Sequence, residues 1–229
     1  MTGTVIVKIF NGTAARTGLT EEEAREAGFD PVCAVVSGPD RAHFVPTSRS
    51  IILKVVVDRG SRKVLGAQGV GVGEVAKRID VMATALMAGL DVDQLAHLQL
   101  AYAPPFSMAL DNVLVAANVV RNKLEGRFTG ISSLELWELM RAGEPLLLLD
   151  VRQPAEYGRA RLRGSRHIPL GSLRGRLHEL PRDEPIVVVC SIGLRGYEAA
   201  LVLGANGLTN VRVLDGGLEA WPFAVERLV

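Results

Sequence analysis

Ile186-Val187-Val188-Val189-Cys190-Ser191-Ile192-Gly193-Leu194-Arg195-Gly196-Tyr197 joins a continuous apolar run, a loop containing glycine and the start of a helical pattern. The run reads as a buried strand, which brings Cys190 to the rim of a sheet facing the first N–H groups of the next helix. Those groups have no intrahelical partner, and with the helix dipole and Arg195 they favour an anion. The anion on offer is a thiolate or whatever it carries. A cysteine in this setting is expected to titrate below its free value of roughly 8.5 and to act as a nucleophile. The competing reading is a small buried hydrophobe that happens to end a strand.

The flanking sequence repeats the pattern. Ser132 and Glu135 make a capping-box signature ahead of a helix that continues through Leu134, Trp137, Leu139 and Met140. Leu146-Leu147-Leu148-Leu149 is a second continuous apolar run, and Val211-Arg212-Val213-Leu214 a third. Continuous apolar strands alternating with helices predict a parallel sheet covered by helices on both faces. Asp150 and Arg152 follow their strand as Cys190 follows its own, at the edge where ligands of open α/β sheets collect. They are read as supporting site residues or, alternatively, as a helix cap or buried ion pair. Residues 173–180 are expected to be helical, His167 structural, and Trp221 a lid or core aromatic. Gly216 and Gly217 let backbone pass close to the cysteine loop.

Leu149-Asp150-Val151-Arg152 with Glu156-Tyr157, Ile168-Pro169-Leu170, Cys190-x-x-Gly193-x-Arg195 and Gly216-Gly217-x-x-x-Trp221 together resemble a single rhodanese domain over residues 131–229. The resemblance implies that Cys190 accepts a sulfane sulfur from thiosulfate, polysulfide or a persulfide and passes it to a thiol. It implies that Ser191, Ile192, Gly193, Leu194 and Gly196 form the persulfide-binding loop with Arg195 as its cation. Residues 190–195 have sulfur-transfer length; related phosphatases have a longer loop. Two positions depart from the family pattern: Gly196 replaces a Ser or Thr, and Ala160-Arg161-Leu162 replaces Gly-His-Ile.

The first half reads differently. Residues 5–10 form a strand closed by Asn11-Gly12. A helix follows, with Thr20 as N-cap, Glu23 completing a capping box and Gly28 at its C-terminal end. Residues 32–36 make a short strand containing Cys33, expected to be inert in an apolar setting without nearby cations. Residues 51–58 and 64–70 make a hairpin, so the sheet here is antiparallel. Helices are predicted over 74–89, 92–97 and 109–124, interrupted by a rigid loop at Pro104-Pro105. Lys77, Arg78 and Asp80 read as a solvent-facing helix start with local ion pairs. Residues 127–130, between two glycines, are the expected linker.

Thr17-Gly18-Leu19-Thr20-Glu21, Lys77-Arg78-Ile79-Asp80-Val81 and Leu100-Ala101-Tyr102-Ala103-Pro104-Pro105-Phe106-Ser107 resemble the dimerisation domain of pyridine nucleotide-disulfide oxidoreductases, in the coenzyme A-disulfide and polysulfide reductase branch. The resemblance implies a homodimer built through residues 1–126, with Tyr102 reaching toward a partner's active site. Tyr102 can equally be an aromatic that fills the dimer interface. A second family tyrosine is represented here by Phe44, which lacks the hydroxyl. The family's FAD and NAD(P)H domains have no counterpart in these residues, so no cofactor is expected, no metal is called for, and the chain is not read as a complete flavin reductase.

The whole chain is an α/β protein: an N-terminal α+β dimerisation domain with an antiparallel sheet, and a C-terminal rhodanese-like parallel sheet. Its 229 residues are 48% hydrophobic and 22% charged, which suits folded domains. A formal net charge of +1 gives no reason to expect nucleic acid or an anionic membrane as partner. Arginines crowd residues 159–176, either as a solvated face or as an attraction for anionic sulfur donors. Two widely separated cysteines and the absence of an apolar leader point to a reducing, cytoplasmic setting. The expected function is sulfurtransferase, with small sulfur donors and thiol acceptors as partners. The alternative is a dimeric persulfide carrier or regulatory module that docks on a flavin disulfide reductase.

Overall fold

The computed structural model describes residues 3–227 and divides into two compact units, Met1–Glu125 and Gly126–Val229. In the first, strands β1 (Thr4–Ile9) and β2 (Gly12–Gly18) precede helix α1 (Glu21–Glu26), followed by β3 (Pro31–Pro39), β4 (Ser50–Asp58) and β5 (Val64–Gly71). Helices α2 (Ala76–Met87), α3 (Val92–Ala96) and α4 (Asn112–Leu124) complete it. The sheet is antiparallel, in the order β1-β2-β5-β4-β3. Strand β2 is new relative to the sequence reading. Its residues Thr13-Ala14-Ala15-Arg16-Thr17 carry little apolar signal, and the strand is defined by its partners β1 and β5.

Alternation along β4 sends Ile51, Leu53, Val55 and Val57 into a core with Ile79 and Met82 of α2, Leu95 of α3 and Val113 and Val120 of α4. The opposite face is only partly covered. Val5, Val7, Ala14, Val35, Ile52 and Val70 line an open cleft of about 530 Å³ there. β1 is exposed along its whole length, and Phe10 in the turn after it is 94% exposed. α1 starts as expected: Thr20 accepts from the Glu23 N–H at 3.1 Å, and the Glu23 carboxylate accepts from the Thr20 N–H at 2.7 Å.

Two expectations for this unit change. Arg78 does not face solvent; it is 1% exposed and donates to Asp111 at 2.7 and 3.3 Å, to Asp40 O at 2.6 Å and to Glu74 O at 3.0 Å. The Asp111 carboxylate also caps α4, accepting from the Val113 N–H. The second change concerns Cys33, which does have cations nearby: Lys54 and Lys123 both act on it. Its thiol is nevertheless pushed up to about 12, first by burial, with Glu21 also raising it against the pull of Lys54.

The second unit contains β6 (Thr129–Ile131), α5 (Ser133–Ala142), β7 (Leu147–Asp150), α6 (Pro154–Arg159), β8 (Arg166–His167), α7 (Leu170–Leu173), β9 (Ile186–Val189), α8 (Leu194–Gly204) and β10 (Val211–Leu214). Its strands are parallel, in the order β6-β10-β9-β7-β8. Ile186, Val188 and Cys190 pack on one side with Ala199 and Leu203 of α8 and Leu173 of α7. Val187 and Val189 pack on the other with Leu136 of α5 and Trp221, a core aromatic. Thr129 and Gly130, expected in the linker, belong to edge strand β6. The helix expected over 173–180 is the single turn α7 and a 3₁₀ turn at Leu177–Glu179. Ser132 caps α5, but Glu135 pairs with Arg212 at 2.6 Å.

Arg78→Met should lower stability by about 3–5 kcal/mol in urea titration, because it strands a buried carboxylate, and adding Asp111→Asn should recover part of that loss. Cys33 gives a pH test. Its folded pKa of about 12 stands above the unfolded value of roughly 8.5. Its contribution to stability is therefore complete below that lower value and is lost as pH rises toward 12. In a Cys190→Ser chain, iodoacetamide at pH 9 should leave Cys33 unmodified until denaturant is added.

Candidate active site

β9 ends at Val189, and Cys190 begins the loop that closes on α8. The residue is 1% exposed, and the Gly193 N–H donates to its Sγ at 3.0 Å. Gly193 has φ 104°, a conformation open to glycine, and this turn aims its N–H back at the sulfur. The first bond within α8 runs from the Tyr197 N–H to Gly193 O at 2.9 Å, so the N–H groups of Leu194, Arg195 and Gly196 lie at the open helix N-terminus. Ile192 and Leu194 are 38% and 61% exposed, giving the loop apolar outer residues.

The loop is held from behind by the segment after β10. The Leu218 N–H donates to Cys190 O at 2.8 Å and the Glu219 N–H to Ser191 O at 3.0 Å. Gly217, with φ 61°, makes that approach possible: a Cβ there would stand 2.5 Å from the Ser191 carbonyl. Gly196, the departure from the rhodanese pattern, is also explained by packing. A Cβ would stand 2.8 Å from Val213 Cγ1 and 3.7 Å from Cys190 Sγ.

Arg195 is not directed at the sulfur. Its guanidinium donates to both oxygens of Glu156 at 2.7 Å and to Ser191 Oγ at 2.9 Å, while Ser191 Oγ donates to Glu156 at 2.6 Å. The Gln153 N–H adds a further bond to this carboxylate. Glu156 is held well below the usual carboxylate range, chiefly by its bonds from Arg195 against the cost of partial burial. Arg195 is raised in turn, first by Glu156, with smaller contributions from Cys190 and Asp150. Glu156 stands in the quoted motif, but the sequence reading assigned it no role. The available signal was an acidic residue in the first turn of a helix beginning at the ligand-binding edge of the sheet.

Asp150 and Arg152 form a buried ion pair at 2.6 Å, and Arg152 also donates to Ala160 O at 2.6 Å. They brace the turn from β7 into α6, the helix that presents Glu156. His167 joins the same brace: its Nε2 lies 2.9 Å from Arg152 O and its ring stacks on Tyr157 at 4.3 Å. Tyr102 belongs to the other unit, where it is half exposed and lines a cleft of about 590 Å³ with Arg41, Glu74, Lys77, Pro105 and Phe106. Among the described residues no cluster of three or more His, Cys, Asp or Glu side chains could hold a metal, and no helix is long and apolar enough to cross a membrane.

Family models match both units. The pyridine nucleotide-disulphide oxidoreductase dimerisation domain matches residues 4–114, and the rhodanese-like domain matches residues 132–223. An NAD(P)H coenzyme A polysulfide/persulfide reductase of Pyrococcus horikoshii is 40% identical over 119 residues, covering 52% of this chain and 26% of that protein. The solved structure of an NAD-dependent persulfide reductase from A. fulgidus is 49% identical, with TM-score 0.88, over 97% of this chain and 39% of that one. Reduced CoADR-RHD from Bacillus anthracis gives 36% identity and TM-score 0.87 over 96% and 39%. The chain thus spans about a quarter of the curated relative's length and 39% of each solved chain. Within that span, the protein consists of a pyridine nucleotide-disulphide oxidoreductase dimerisation domain, of the kind found in coenzyme A-disulfide and polysulfide reductases, followed by a rhodanese-like domain.

Proposed function

We propose that the chain is a sulfurtransferase that carries sulfane sulfur as a persulfide on Cys190. The observation behind this reading is a buried cysteine sulfur that accepts a backbone N–H at the start of α8. The Cys190 thiolate attacks the outer sulfur of a donor persulfide, polysulfide or thiosulfate, forming one S–S bond. The donor's own S–S bond breaks, and the leaving thiolate or sulfite departs with the electron pair. The new persulfide keeps its negative charge beside the Gly193 N–H and the open N-terminus of α8. An acceptor thiolate then takes the outer sulfur and restores the Cys190 thiolate. Atoms and electrons balance without hydride from a flavin or nicotinamide. Asp150 and Arg152 support the site by fixing the turn that carries Glu156.

A second reading makes the same cysteine a carrier that loads once and releases its sulfur to a reductase. The burial of Cys190 favours it, because slow access limits turnover. Either way we infer a homodimer through residues 1–126, supported by the dimerisation-domain match and the exposed apolar length of β1. Tyr102 is assigned to that dimer.

Cys190→Ser should abolish both sulfide release from thiosulfate plus dithiol and the one-sulfur mass increase of the protein; retained activity rejects the role of Cys190. Steady-state turnover in the unmodified chain favours the transferase, and stoichiometric loading with little turnover favours the carrier. Sedimentation at micromolar concentration should give the mass of a dimer, and a monomer there would reject the interface.

A further inference from the structure

The loop's cation is already neutralised within the fold. Both oxygens of Glu156 engage Arg195, and the Ser191 hydroxyl is drawn into the same cluster. The Gly193 N–H is turned to the sulfur, while the outer loop residues Ile192 and Leu194 are apolar and exposed. An incoming donor therefore meets the Cys190 sulfur, backbone dipoles and hydrocarbon, with the guanidinium charge offset by a carboxylate on its own hydrogen bonds.

We propose that Glu156 determines donor specificity: by pairing with Arg195 it makes the loop discriminate against the thiosulfate dianion in favour of the persulfide of a small thiol. This rests on the reading that Cys190 carries sulfur. Both donors react by the same exchange. The thiolate bonds to the outer sulfur, the donor S–S bond breaks, and sulfite leaves from thiosulfate or a thiolate from the persulfide. They differ in what must be brought up to Cys190. Thiosulfate carries two negative charges and a sulfonate that calls for a free cation, whereas a thiol persulfide carries at most one charge on its sulfur and an organic group suited to Ile192 and Leu194. Coulomb repulsion between like charges at a partly desolvated site is large enough to decide between them. With Glu156 in place, Arg195 offers little net charge against that repulsion.

The test is the Glu156→Gln chain, which keeps the shape of the side chain and one of its two accepting oxygens but removes its charge. It is assayed with thiosulfate and with the persulfide of 2-mercaptoethanol, whose organic group carries no charge, as donors, following Cys190 loading by mass. The expected result is a rise in kcat/KM for thiosulfate of about tenfold, a ratio typical of one moderate electrostatic contact, carried mainly by KM. The persulfide rate should change by less than about threefold, within the range of an ordinary side-chain replacement. Glu156→Asp, which keeps the charge, should retain the donor preference of the unmodified chain. A merely structural role for Glu156 would depress both donors together; that result, or an unchanged donor ratio, overturns the proposal.

A second measurement needs no variant. In the unmodified chain the thiosulfate rate should stay flat or rise with added salt, because screening relieves repulsion. A steep fall with salt would reveal a free guanidinium drawing in the dianion and would reject the role of Glu156. Sulfur transfer surviving in Cys190→Ser is a different failure: it removes the reading of the site itself. Normal loading of Cys190 with an unaltered donor preference in Glu156→Gln removes only the specificity claim.

Discussion

Burial of the Cys190 sulfur is the constraint from which the rest of the second unit follows. β9 is the central strand, paired with β7 on one side and β10 on the other, and its four residues are buried. Such a strand can end only where its backbone and its next side chain find partners, because a buried polar group without one costs about 1–3 kcal/mol. Cys190 O takes the Leu218 N–H, and Cys190 Sγ takes the Gly193 N–H. Both arrangements rely on glycines: Gly217 lets the rear segment approach, and Gly193 turns the loop inward. The backbone geometry needed to end the strand also aims an N–H at the sulfur. Stability and chemistry make the same demand on this loop.

Cys33 shows which effect controls a thiol. Cys33 has two lysines acting on it, which by a simple charge argument should make it acidic, yet its thiol is pushed up to about 12. Burial outweighs the lysines, and Glu21 accepts a bond from the neutral thiol and repels the charged one. At Cys190 the groups facing the sulfur include a backbone donor at a helix start. A nearby cation whose charge is answered by a carboxylate does little for an anion. The same comparison applies to Arg195, whose charge is answered by Glu156.

How much of this was legible in the sequence depends on how local the cause was. The Thr20 and Glu23 caps, the β4–β5 hairpin and the strand-loop-helix at Cys190 are set by residues within a few positions of one another, and their pattern carries them. β2 was not legible because Ala14, Ala15 and Arg16 have no strong alternation; β1 and β5 on either side make them a strand. The edge strand at Thr129 and Gly130 is likewise fixed by a distant partner, β10. Arg78 looked like a surface residue because its partner Asp111 comes from another helix. The family resemblance located the cysteine loop, but nothing local indicated that its arginine would turn toward a residue on α6.

That last point extends beyond this site. A loop arginine beside a buried cysteine invites assignment as an anion anchor, and the residue type is compatible with that role. Side-chain donors, however, go to the strongest acceptor within reach. A fixed carboxylate with both oxygens in fork geometry outcompetes a thiolate, whose charge sits on one large, weakly accepting atom. Once Glu156 occupies the guanidinium, the sulfur is left to backbone N–H groups, which are permanent dipoles and need no rearrangement when charge arrives. At Cys190 that backbone donor is the Gly193 N–H. The Glu156–Arg195 pair between α6 and α8 thereby ties the turn braced by Asp150 and Arg152 to the cysteine loop.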